Sequence, residues 1–330
     1  MRKFLTIIAI ALQVFVLAHM AAEREWIVRT GKTVFLRTAL LDPRDLFRGD
    51  YVKLNYEISS IPVSKTRGTI KDEAGARGRK VYAVLKEGWR GLADLDYVTG
   101  ERPKTGLFIQ GRQESRWRPP GIGDTAVQLR YGIESYYVQQ GAGREMEGRR
   151  SAGTDIQIPL EMEVALGGSG TAVIKNHRWS PLGMGLTTLE NAAQRGQEGR
   201  KSSKVRLTLM NASPSPLALV NLPDMCSFSL EPVMPESRER RPATPQCAGI
   251  KPSNENVIVL QPKEKRAFEF DFSESRWHVM EKGRPVEIGT LNFQMFRLVY
   301  KSPSPESCAG LQNAVLIYHN SLPSRPFRGR

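Results

Sequence analysis

Acidic pairs are the residues in this chain whose spacing suits acid–base work. Glu145 and Glu147, and again Glu161 and Glu163, stand two apart, which puts each pair on one face of a strand. Glu134 with Glu147 is a further candidate pair. Two carboxylates across a cleft can act as general acid and base in hydrolysis. The solvated face of an antiparallel sheet has the same spacing, and that is the reading adopted for both close pairs. Ser64 and Lys65 have the residue types of a serine–lysine nucleophile, which must be brought together in space. They are neighbours in a polar loop, and nothing in the pattern aims one at the other. His19, His177, His278 and His319 are scattered, with no second ligand at helical or hairpin spacing. Metal and Cys–His chemistry therefore have little support, and no catalytic residue, metal or cofactor is assigned. Gly141-Ala142-Gly143 is too short for a phosphate loop.

The elements that would position these residues are short and extended. The clearest is Leu41–Ile58, where a charged turn at Asp42-Pro43-Arg44-Asp45 and Gly49-Asp50 feeds an alternating run. Tyr51, Lys53, Asn55 and Glu57 share one strand face, and Val52, Leu54, Tyr56 and Ile58 the other. Strands are also expected over Trp26–Leu36, Lys80–Leu85, Gly106–Gln110, Val127–Tyr131, Ile133–Val138 and Ile156–Leu166. Gly167, Gly168 and Gly170 turn the chain, and Thr171–Ile174 returns as a hairpin. Without sustained helical periodicity, residues 23–180 read as an all-β barrel or roll.

Ahead of this region, Arg2 and Lys3 precede an apolar run from Phe4 to Ala22, long enough to cross a bilayer. A secretory signal peptide is the competing reading. Cleavage after Ala21 would place His19 at −3, and cleavage after Ala22 would place Met20 there, so a retained anchor over residues 1–22 is favoured. The basic N-terminus favours a cytoplasmic start with the rest of the chain across the membrane. The cysteines agree. Cys226, Cys247 and Cys308 lack metal-ligand spacing, and an oxidising compartment permits one pair. Cys226 and Cys247, the nearest two, bracket a loop rich in proline and arginine and form the favoured bridge. The net charge of +14 is spread along the chain, which fits solubility beside a membrane better than nucleic-acid binding, for which no motif is present.

Gly49-Asp50-Tyr51-Val52-Lys53-Leu54-Asn55-Tyr56 resembles the pattern that names the GDYXXLXY family of membrane-anchored bacterial proteins. The lead-in Asp42-Pro43-Arg44-Asp45 with Arg48, the run Arg130-Tyr131-Gly132-Ile133-Glu134 with Tyr136-Tyr137, and Gly143-Arg144-Glu145 with Glu147 are also similar. The resemblance covers roughly residues 1–178 and implies an anchored envelope protein, with no established reaction. Gly49, Leu54, Tyr56, Tyr131, Glu134 and Glu147 are its structural positions. Arg44, Arg48, Asp50 and Tyr51 form the candidate interaction surface, since arginine and tyrosine are enriched at interface hot spots.

Residues 181–204 change character, with a helix-like piece at Leu186–Gln194 before a basic polar tract, and read as a linker. From Val205 a second β pattern begins: Val205–Met210, Leu217–Leu222, Ser227–Leu230, Val257–Leu260, Ala267–Phe272, Ile288–Phe293, Phe296–Tyr300 and Ala314–Tyr318. Regular turns between short strands suggest a sandwich over 205–330. The Asn211-Ala212-Ser213 and Leu260-Gln261-Pro262 turns resemble those of bacterial Ig-like domains, in architecture only. The expected whole is mainly β: a transmembrane helix, a barrel or roll, and an Ig-like sandwich. The expected role is a non-enzymatic interaction or assembly factor of the inner membrane, single-pass, with periplasmic domains and another membrane or envelope protein as partner. The alternatives are a hydrolase of envelope material using paired carboxylates, and a basic module binding anionic lipid or envelope polymer.

Overall fold

The computed structural model describes residues 2–38, 51–71, 78–114, 126–139, 146, 156–189, 204–233, 247, 249–281, 283–291 and 295–328. Its one long helix runs from Arg2 to Thr30. The stretch Lys3–Thr30 has a mean hydropathy of 2.3 in its most apolar window, and none of that window is buried by the rest of the chain. Such a helix is long and apolar enough to cross a bilayer.

The expected strand over Trp26–Leu36 is corrected at its start. The helix persists through Trp26, Ile27 and Val28, and the strand is Lys32–Arg37. Extending a formed helix adds one hydrogen bond for each residue fixed, so β-favouring side chains after Ala22 do not stop it. An ion pair between Glu25 and Arg29 at 2.7 Å supports the last turns. Gly31 ends the helix in close quarters. A Cβ there would sit 2.5 Å from the Ile27 carbonyl oxygen and 2.9 Å from that of Leu166. Ile27 itself is only 6% exposed and lies over Gly167, so the helix end is seated on the hairpin without a spacer.

The strand Lys32–Arg37 pairs antiparallel with Leu160–Leu166, which pairs in turn with Ala172–Trp179. A six-stranded sheet forms most of the rest of this half, beside the short pair Tyr51–Lys53 and Ser135–Tyr137. It is built from Ser60–Pro62, Ala126–Arg130, Leu107–Gln113, Lys80–Glu87, Ala93–Thr99 and Thr66–Arg67, in that order. A bridge from Phe35 to Leu92 brings the two sheets edge to edge. They wrap barrel-like around Leu36, Ile61, Val81, Ile109, Met162 and Val164. The alternation of the motif survives, with Leu54, Tyr56 and Ile58 buried and Lys53 and Asn55 exposed. A continuous strand over Tyr51–Ile58 does not. Tyr51–Lys53 pairs with Ser135–Tyr137, Tyr56 makes an isolated bridge to Thr38, and Glu57–Ser59 closes into a 3-10 turn.

In the C-terminal half, Lys204–Asn211 lies between Leu182–Thr188 and Lys265–Asp271. This sheet faces Phe228–Pro232, Met295–Lys301 and Ser321–Pro323 across one core. Leu207, Leu209, Phe228, Phe270, Trp277 and Leu298 fill it. Two sheets over a shared core are compatible with the expected sandwich. Leu182–Thr188, expected as a connection with a helical piece, is instead a full strand, and it also pairs with Ile156–Gln157. Residues 190–203 lie outside the described residues. Ala314–Leu316 and Ile288–Thr290, expected as strands, are 3-10 turns. Ile288 enters the core from its turn while Val315 is exposed on the other, and an apolar run alone does not distinguish such turns from strands.

Candidate functional site

Tyr56 and Tyr131 each bond to the segment that carries the other. The Tyr56 hydroxyl donates to the Ile133 carbonyl at 2.8 Å, and the Tyr131 hydroxyl donates to the Ile58 carbonyl. Between them the Leu54 N–H donates to the Glu134 carbonyl at 2.8 Å. The Glu134 carboxylate accepts from the backbone N–H groups of Tyr131 and Gly132, one on each oxygen. Burial, with Glu134 adding to it, raises the pKa of both phenols, so both remain protonated donors. These bonds lock the motif segment to the 131–134 turn.

Residues 13–176 match the GDYXXLXY protein family. Through this segment the chain belongs to that family. No curated protein and no solved structure matches the chain. Within the GDYXXLXY segment, then, Leu54, Tyr56, Tyr131 and Glu134 hold the fold together. Phenylalanine at either tyrosine strands a buried carbonyl. Tyr56→Phe and Tyr131→Phe should each lower stability by about 1–3 kcal/mol, read from the urea midpoint of the detergent-solubilised chain. Unchanged midpoints would mean that the hydroxyls contribute nothing.

The other expected site residues are placed as follows. Arg44, Arg48, Gly49, Asp50 and Glu147 lie outside the described residues, as does Glu145. Tyr51 takes part through its backbone, paired with Tyr137. Ser64 is exposed, and the Lys65 ammonium donates to the Leu95 carbonyl at 2.9 Å. Cys226 and Cys247 are joined as a disulfide, and Cys308 is a buried free thiol. Among the described residues no three His, Cys, Asp or Glu side chains gather as a metal site.

A second cluster escaped the sequence reading. Glu161, expected on a solvated face, is 1% exposed. It is the cross-strand neighbour of Arg37 on one side and of Arg178 on the other. Three adjacent strands thus present a positive, a negative and a positive group in line. The Arg178 Nε donates to Glu161 Oε2 at 2.7 Å, and its guanidinium lies 3.4 Å over the Phe35 ring. Arg37 is 4% exposed and reaches into the C-terminal half. Its Nη1 donates to the Ser321 carbonyl at 2.7 Å, and its Nη2 donates to the Tyr318 hydroxyl at 3.2 Å. Glu161 and Glu57 stand 3.7 and 3.8 Å from the same guanidinium.

The electrostatics follow from this geometry. Burial works against the charge on Arg37, and Tyr318, Glu57 and Glu161, with Asp94 behind them, more than offset it, so its pKa is raised. Burial pushes Tyr318 up to about 12, against the pull of Arg37. Burial also raises Glu57, with Arg37 and Arg297 opposing. Trp89 extends the contact, edge-on to Tyr318 at 5.5 Å and to His319 at 6.0 Å. This is a joint between the two β halves whose charges are spent on one another. One part was within reach of the sequence. Counting back across the 167–170 turn sets Glu163 against Lys175 and Glu161 against His177, and a register shift between Glu163 and Val164 then carries Arg178 opposite Glu161. No local signal marks Arg37 or Tyr318, which are 281 residues apart.

Proposed function

We propose that this protein is a membrane-anchored interaction or assembly factor of the bacterial envelope rather than an enzyme. Its N-terminal helix spans the inner membrane from a cytoplasmic N-terminus, and both β halves stand on the periplasmic side. The observation that carries the reading is the seating of the helix. Its apolar length is exposed, and its last turn is bedded on the hairpin through Ile27, Gly31 and Gly167. Cleavage after Ala21 or Ala22 would leave that last turn on the folded body, so the seat itself does not need the span. What it does is hold the β halves at a set attitude to the bilayer, as an adaptor requires.

Arg2 and Lys3 before the apolar run support the orientation, and the Cys226–Cys247 bridge supports an oxidising compartment. A hydrolase using Glu134 is disfavoured, because both of its carboxylate oxygens already accept backbone N–H groups. The working contacts are then with another membrane or envelope protein. In membranes of the producing cell, the chain should resist alkaline carbonate extraction and be digested by protease added outside the inner membrane. Mild crosslinking should recover it with a partner. A shortened, soluble chain would overturn the anchor. A membrane-bound chain recovered only as an uncrosslinked monomer would overturn the interaction role.

A further inference from the structure

Gln13 is the polar residue at the centre of the span. It lies nine residues from Phe4 and nine from Ala22, the two ends of the apolar run. At 1.5 Å per residue it sits roughly 13 Å from either end, at the middle of the hydrocarbon. Its side chain is exposed, and no described residue of the chain bonds its amide. Water and headgroups cannot reach that depth, so a lone primary amide there is left unsatisfied. Ala9, Ile10, Val16, Leu17 and Met20 flank it on the same helix face. Ala9, one turn before it, is small enough for a second backbone to approach closely.

We infer that Gln13 pairs two copies of this chain through their membrane helices. The inference rests on the membrane-spanning reading above. The choice of a second copy comes from the amide itself, which carries both a donor and an acceptor and is therefore complementary to another glutamine. Two copies inserted in the same direction bring residue 13 to residue 13 at equal depth, around a two-fold axis along the membrane normal. Any other helix would need its own polar group at that depth. Because each helix is seated directly on its β half at Ile27 and Gly31, pairing also sets the two β halves side by side on one membrane face.

The test uses full-length protein, labelled with donor or acceptor dye and reconstituted in phosphatidylcholine vesicles at varied protein-to-lipid ratio. Energy transfer should rise with protein density and fall when unlabelled chain is added. Gln13→Leu should weaken association roughly 5- to 30-fold, the range of interhelical amide bonds in model helices, and Gln13→Asn should retain most of it. Wild-type protein that stays monomeric at every density, or Gln13→Leu that associates as tightly as wild type, overturns the pairing. Alkaline extraction of the same vesicles separates the two readings. A chain that washes off fails as a membrane protein, whereas one that stays and shows no transfer fails only as a dimer.

Discussion

Arg37→Met should lower the stability of the detergent-solubilised chain by about 3–5 kcal/mol, the range for breaking a buried ion pair from one side. Methionine keeps much of the length of the stem and removes the charge. Glu161 would keep Arg178 as its counter-ion, but its Oε1, which accepts no hydrogen bond even now, would lose the neighbouring guanidinium. The Ser321 carbonyl and the Tyr318 hydroxyl would lose their bonds from Arg37. Those two acceptors belong to the C-terminal half, so the substitution cuts the joint as well as the charge line. A single urea transition should therefore broaden or split. A loss under about 1 kcal/mol for Arg37→Met would mean that the guanidinium does not hold the halves together.

Removing the disulfide as a pair, Cys226→Ala with Cys247→Ala, should cost about 3 kcal/mol in the chain-entropy account of a loop of this size. The two cysteines are 21 positions apart. Cys226 adjoins Ser227, whose hydroxyl donates to the Val220 carbonyl and accepts from the Leu222 N–H, and Phe228 of the core follows. Release of the loop therefore acts on one edge of the C-terminal core. The urea midpoint of wild type should fall on reduction and approach that of the double variant, which should itself ignore reductant. Cys308 is buried in the small cluster of Ala218, Val220 and Ile317 and takes no part. A wild-type midpoint indifferent to reductant would remove the bridge as a source of stability.

Several elements could be read locally because their cause is local. Alternation placed Leu54 and Tyr56 inside, since a side chain in extended backbone has no choice of face, and Ile58 is buried as well although it lies in a 3-10 turn. The glycines at 167, 168 and 170 announced the hairpin between Leu160–Leu166 and Ala172–Trp179. The places where the reading went astray also have causes. Trp26–Val28 favours strand, and helix propagation overrode that preference. Leu182–Thr188 combines glycines and threonines with few apolar residues, and it is a strand because Lys204–Asn211 and Ile156–Gln157 flank it. The run over Ala314–Tyr318 is apolar enough for a strand, yet its residues through Leu316 form a turn.

By itself the sequence determined that an apolar helix precedes a mainly β chain, which residues of the GDYXXLXY motif point inward, and that no compact set of reactive side chains recurs at a diagnostic spacing. These follow from periodicity, composition and turn chemistry, all short-range. The tertiary structure alone decided which charges are buried. Glu161 and Glu163 stand two apart on one strand with the same chemistry. Glu161 is enclosed between Arg37 and Arg178, with Tyr318 arriving from the other half, while Glu163 keeps an exposed edge beside Lys175. Burial of a charge depends on what is laid against it, and here that neighbour comes from the far end of the chain.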